Sequence, residues 1–237
     1  VSARAVAWYA TSHEMMLRTV LIPSSLAGVM FPKFAGVSHA SPTAPLVELY
    51  RRGIRVAAAL MLPICMLGAT AAYDAVRVWM GDDFALNSYR VVQIIAVGVF
   101  ANSIAQLPFA WLQGVGRSDL TARIHLIELP LYVLGLYFSV QHWGIAGAAW
   151  MWTFRVSLDC VLLLMMAVRR GASDTIAMGV AGCALVAVVG ALTGPEWGWQ
   201  WRAAVGVLAV GGAVAGAWFG LLNKKDRVDM LRLRHAY

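Results

Sequence analysis

The stretch 144-GIAGAAWMWTFRVSLDCVLLLMMAV-168 decides how this chain is read. It is long enough to cross a bilayer, whose hydrocarbon core of about 30 Å needs roughly 20 apolar helical residues. Arg155 and Asp159 interrupt it near the middle. Charge at that depth costs several kcal/mol unless it is paired or lines a polar cavity. Such a segment therefore predicts a membrane protein with a polar interior rather than a simple anchor.

Composition agrees. Of 237 residues, 60% are hydrophobic and 13% are charged, whereas a soluble domain carries roughly 25% charged residues. The net charge of +7 does not point to nucleic acid, because the basic residues gather in short segments between apolar runs. Cys65, Cys160 and Cys183 each stand alone in an apolar run. They have no metal-ligand or redox spacing, and no metal or other cofactor is implied. The chain opens Val1-Ser2-Ala3 with neither an initiator Met nor a signal-peptide pattern, so it is expected to be a fragment of a longer protein.

Seven spanning helices are predicted, at 10–31, 54–79, 88–113, 120–141, 144–168, 175–194 and 202–222. No segment alternates with period two, which argues against a β-barrel. Lys33, Arg51, Arg52 and Arg55, then Arg117 and Arg123, then Arg169 and Arg170, then Lys224, Lys225, Arg227, Arg232 and Arg234 fall on one side of this alternation. The positive-inside rule makes that side cytoplasmic, with residues 223–237 as a basic cytoplasmic tail. Trp8, Tyr9, Trp79, Trp197, Trp199 and Trp201 collect at the opposite boundary, where amphipathic rings settle. Asp82 and Asp83 are read as solvated residues of a short outer loop. Gly212, Gly216 and Gly220 form a small-residue ladder suited to close helix packing.

The interior charges are few. Glu14/Arg18 and Arg155/Asp159 are i,i+4 pairs, hence neighbours on one helix face. Glu128 and His125 lie on the fourth segment, and His13 on the first. One reading makes these pairs self-contained locks between helices. The other makes them a cationic, water-filled cavity in which acids orient arginines. Asn102, Ser103, Gln106 and Gln113 are placed to line the same space. Pro23, Pro63, Pro108 and Pro130 fall one in each of the first four segments and predict bends there.

Four stretches resemble the polysaccharide-biosynthesis membrane proteins, the O-antigen and exopolysaccharide repeat-unit flippases of the multidrug/oligosaccharidyl-lipid/polysaccharide exporter superfamily. They are 21-LIPSSLAGVMFPKFAG-36, 62-LPICMLGATAAYDAVRVWMGDDFA-85, 98-GVFANSIAQLPFAWLQGVGRSD-119 and 144-GIAGAAWMWTFRVSLD-159. The resemblance implies an all-α integral membrane fold. Residues 1–170 would be five helices of the C-terminal lobe of a two-lobe exporter, and 171–222 two additional helices. It also implies translocation of undecaprenyl-diphosphate-linked oligosaccharide across the bacterial cytoplasmic membrane, with the C-terminus in the cytoplasm. Arg18 and Arg155 would contact the headgroup. Glu14, Glu128 and Asp159 would orient them or couple an ion, and Asn102 and Gln106 would line the cavity. The implied partners are the lipid-linked substrate, membrane lipids, and a polysaccharide polymerase and glycosyltransferases, with no nucleic acid.

Two alternatives stand beside this reading. A cation-coupled drug or metabolite antiporter of the same superfamily would use Glu14, Glu128 and Asp159 as cation sites. A membrane glycosyltransferase or polymerase would need an aqueous loop rich in acids, and the loop of about 22 residues expected after the first segment holds only Glu48. The topology is testable by single-cysteine labelling in intact cells. Cysteines at Ser41 and Ser118 should be shielded from an impermeant thiol reagent and one at Asn87 labelled. Strong labelling at Ser118 reverses the third and fourth segments.

Overall fold

The computed structural model describes residues 2–35, 43–167 and 172–222. Seven long apolar passes run back and forth among them. The first pass is α1 (Ala3–Leu17) and α2 (Leu21–Ala35), joined by a 3-10 turn over Arg18–Val20. The others are α3 (Ala44–Thr70), α5 (Asp82–Gly114), the two arms of α6 (Ser118–Ala167), α7 (Ala172–Ala191) and α8 (Trp199–Gly216), with the short α4 (Ala72–Met80) between α3 and α5. A π-turn over Ala217–Leu221 ends α8. Arg169, Arg170, Ser41 and the basic tail 223–237 lie outside the described residues.

The α6 helix is two predicted segments folded at one residue. Gly144 has φ 56° and ψ −136°, a left-handed conformation that only glycine adopts without strain. The arms return antiparallel from there. Small residues let them close: a Cβ added at Gly147 would strike the Ser139 carbonyl, and one at Gly135 would lie 2.7 Å from Met151 Sδ.

The core is organised around α5. In its most apolar window 89% of residues are buried, against 11% for α8, so α5 is the central post and α8 a peripheral pass. Close approach to α5 again requires small side chains. A Cβ at Gly98 would sit 2.5 Å from the Trp152 ring, where the second arm of α6 crosses. Thr153 Oγ1 donates to the Ile94 carbonyl across the same contact, at 3.0 Å. A Cβ at Gly182 of α7 would strike the Phe100 ring.

Proline accounts for the interrupted first pass. Pro23 cannot donate to the carbonyl four residues back, and its ring crowds that carbonyl. The tighter 3-10 turn lies over this position, and Thr19 Oγ1 donates to the Met16 carbonyl at 2.7 Å.

Three expectations are corrected. The segment predicted at 54–79 is two helices. The α3 helix starts ten residues earlier, after Thr43 and with Pro45 in its first turn, a favoured place for proline. Arg51 and Arg52 therefore lie on a helix rather than in a loop, and only 36–43 separate α2 from α3. The α3 helix stops at Thr70, whose hydroxyl bonds back to the Met66 carbonyl at 2.9 Å, a contact that bends helices. Second, Asp82 and Asp83 are exposed as expected but lie on a helix rather than in a loop. They occupy the first turn of α5, where negative charge meets the helix dipole. Asp82 pairs with Arg77 at 2.6 Å, and Asp83 pairs with Arg4. Third, a Cβ at Gly212, Gly216 or Gly220 would meet nothing within 4 Å. The ladder faces away from the described helices, and Gly206 instead lies against Thr70.

The α7–α8 pair is tied in at the end that holds Asp82. Arg202, only 7% exposed, makes two hydrogen bonds to Asp74, at 2.9 and 2.7 Å, and a third to the Trp197 carbonyl at 2.6 Å. Trp197, Trp199 and Trp201 remain exposed beside it.

Gly98→Leu should cost about 1–3 kcal/mol by overpacking, and Gly144→Ala a similar amount by backbone strain. Both should lower the melting temperature of detergent-extracted protein. A wild-type melting curve for Gly144→Ala would show that the corner tolerates a side chain.

Candidate functional site: a charged cavity inside the α6 hairpin

His125 and Glu128 stand three residues apart on the first arm of α6, and Arg155 and Asp159 four apart on the second. Each pair shares a helix face, and the fold at Gly144 turns the two faces together. Arg155 Nε lies 3.7 Å from Glu128 Oε2. His125 Nε2 lies 3.2 Å from Asp159 Oδ1, with the direction of that hydrogen bond set by the histidine tautomer. The Arg155 guanidinium also sits over the Tyr132 ring, 5.4 Å from its centre. The ion pairs therefore run between arms. The Arg155/Asp159 pairing expected from i,i+4 spacing is not the one formed, because the facing arm offers each group a closer partner.

The groups differ in burial. The Glu128 side chain is 6% exposed and Asp159 16%, whereas Arg155 is 32% exposed and His125 38%. Arg155, His125 and Asp159 open onto a cavity of about 370 Å³, walled on the α5 side by Asn102, Gln106 and Phe109. Phe109 stacks against His125 with ring centres 6.1 Å apart. Asn102 and Gln106 thus stand across the cavity from Arg155. Ser103 does not; it is buried and donates to the Val99 carbonyl at 2.6 Å. Gln113 is exposed near the end of α5.

Arg18 and Glu14 occupy a different place. They pair with each other at 3.4 Å and are 78% and 64% exposed. They line a separate depression of about 520 Å³ together with Trp79. Arg18 and Arg155 are both expected at the headgroup, but the two arginines open onto different cavities. His13 is also apart from the ion pairs, stacked on Tyr9 at 5.5 Å and edge-on to Trp152 at 4.9 Å.

Sequence reasoning missed the aromatic wall and the cation–π seat on Tyr132. It noted His125 beside Glu128 but gave it no role. The available signal was 125-HLIE-128, two polar groups three apart in an otherwise apolar run. Chemically, the site combines a fixed positive charge with two acids, an imidazole and two carboxamides in a small space beside the lipid-facing helices. That suits a polar or charged group better than an apolar one.

Comparison with known proteins places the chain in context. The family described as polysaccharide biosynthesis protein matches residues 1–88. A protein of Shigella flexneri, whose provisional name is O-antigen transporter, is 30% identical over 173 residues. The match covers 71% of this chain and 40% of that protein, so the chain spans less than half the length of this curated relative. No solved structure matches the chain.

The cross-arm pairing predicts a specific mutational pattern. Arg155→Leu leaves Glu128 buried without its cation and should cost about 3–5 kcal/mol. Adding Glu128→Leu should restore thermal stability, and adding Asp159→Leu should not. Rescue by Asp159→Leu instead would return the pair to a single helix.

Proposed function

We propose that the chain belongs to the polysaccharide-biosynthesis family whose model matches residues 1–88, and that the intact protein flips lipid-linked oligosaccharide units across the cytoplasmic membrane. The substrate in this reading is an undecaprenyl-diphosphate-linked repeat unit, destined for surface polysaccharide. The transport class draws on the name of the Shigella flexneri relative. The observation that carries the headgroup chemistry is Arg155, held inside the membrane span by Glu128 and Tyr132 with part of its surface open to the cavity.

The physical reasoning is direct. A diphosphate sugar carries charge that hydrocarbon cannot solvate, while its polyprenyl tail prefers to stay in lipid. An arginine supplies a charge that does not deprotonate and a planar fork matched to phosphate oxygens. Asn102 and Gln106 add neutral donors and acceptors for the diphosphate or first sugar. Glu128 holds Arg155 when no headgroup is present, and Asp159 holds His125. Glu14 and Arg18 lie outside this cavity, and we assign Arg18 a second headgroup contact along the path, oriented by Glu14.

In the same reading, residues 1–170 are five helices of one exporter lobe, with α7 and α8 an additional pair beside it. The C-terminus is cytoplasmic, following the distribution of basic residues. The protein works by transport rather than bond chemistry, alongside glycosyltransferases and a polymerase that make and consume the repeat unit.

The test uses the full-length protein in its own cell. Arg155→Ala combined with Glu128→Gln removes the charge without stranding its partner. It should accumulate near normally and abolish surface polysaccharide, and Arg155→Lys alone should restore only part. Full export from the Arg155→Leu, Glu128→Leu double mutant would eliminate Arg155 as a headgroup contact.

A further inference from the structure

The cluster inside the α6 hairpin has ligand geometry that transport of an anion does not by itself require. One ligand atom from each of His125, Glu128 and Asp159 can be chosen so that all three lie within 4.8 Å of one another. They are an imidazole nitrogen and two carboxylate oxygens, a donor set suited to divalent transition metals. His125 and Glu128 are three apart on one helix face, the spacing by which helical bundles present two ligands inward. Asp159 comes from the facing arm.

Glu128 gives an independent indication. Its residue exposure is 5%, and among the described residues neither of its carboxylate oxygens has a hydrogen-bond partner. The Arg155 Nε contact, at 3.7 Å, is too long to be one. A buried carboxylate without a hydrogen bond is costly. The Arg155 ion pair offsets its charge but gives neither oxygen a hydrogen bond, and a metal ion would satisfy both needs directly.

We propose that His125, Glu128 and Asp159 bind one divalent transition-metal ion of the Zn²⁺ type. Tetrahedral ligands at zinc distances lie about 3.4 Å apart. His125 and Asp159 are already at 3.2 Å, so it is the Glu128 carboxylate, within 4.8 Å of both, that must close in, by up to about 1.4 Å. No described residue hydrogen-bonds it in place. His125 and Asp159 both line the cavity, so a fourth coordination position opens toward it, as in zinc sites that accept an outside oxygen ligand. The formal charge of the two acids and Arg155 is −1, and a divalent ion turns it to +1. The occupied site would thus be the cationic form of the cavity. Arg155, released from Glu128, keeps its seat on Tyr132.

The test is metal binding by the purified, tag-free full-length protein, measured without substrate or transport. Failure of the export reading would therefore leave this result standing. Competition with a chromogenic chelator should show one tightly held Zn²⁺ per chain. Glu128→Gln and Asp159→Asn should each weaken it by more than about tenfold. Because loss of a buried carboxylate can also cost folding, His125→Cys supplies a positive readout. It should still bind Co²⁺ and should gain a thiolate-to-cobalt charge-transfer band absent from the wild type. Absence of Zn²⁺ binding by the folded wild type would overturn the proposal. So would unchanged affinity in Glu128→Gln and Asp159→Asn, or a Co²⁺ complex of His125→Cys without the thiolate band.

Discussion

Charge inside hydrocarbon must find charge or water, and in this protein it finds charge across a helical hairpin. Arg155 and Asp159 on one arm of α6 meet Glu128 and His125 on the other. Those contacts depend on the reversal at Gly144, on the small residues that let the arms close, and on α5, against which the second arm seats at Gly98 and Thr153. The interior polarity and the packing are therefore one design. Gly144 turns the charged faces toward each other, and Gly135 and Gly147 let the arms that carry them approach closely.

Much of the fold was legible because lipid imposes a simple rule. Each pass must be a long apolar run, and the breaks between runs are punctuated by glycine, proline and charge. That is why 144-GIAGAA-149 marked the start of a new pass. The early start of α3 was less visible, since residues 44–53 are polar enough to read as loop, and only Thr43 and Pro45 marked the helix start. The break at Thr70 is a hydroxyl turning back on its own helix, which hydropathy does not register.

The site was legible residue by residue but not as a constellation. Helical spacing correctly placed Arg155 and Asp159 on one face, then suggested that they satisfy each other. Spacing gives the face a residue occupies and not the face that looks back at it. The same limit applies to Arg18, expected at the headgroup beside Arg155 but facing a separate depression, and to the glycines of α8, whose ladder meets no described neighbour. The Asp74–Arg202 contact was hidden for a related reason. Its partners are 128 positions apart, and each reads alone as an ordinary boundary charge.

The single-residue corner at Gly144 also has a mechanical meaning. A connection of one residue has no slack, so the two arms of α6 cannot slide or separate without breaking their shared packing. The hairpin moves as a stiff lever or not at all. The interrupted first pass is built differently, with a proline-weakened joint at Arg18–Val20. That joint lies one residue past Leu17, which itself forms part of the cavity wall. Compliance and charge are thus divided between neighbouring passes: one carries the ion pairs and keeps its shape, while the other carries the bend and lines the opening.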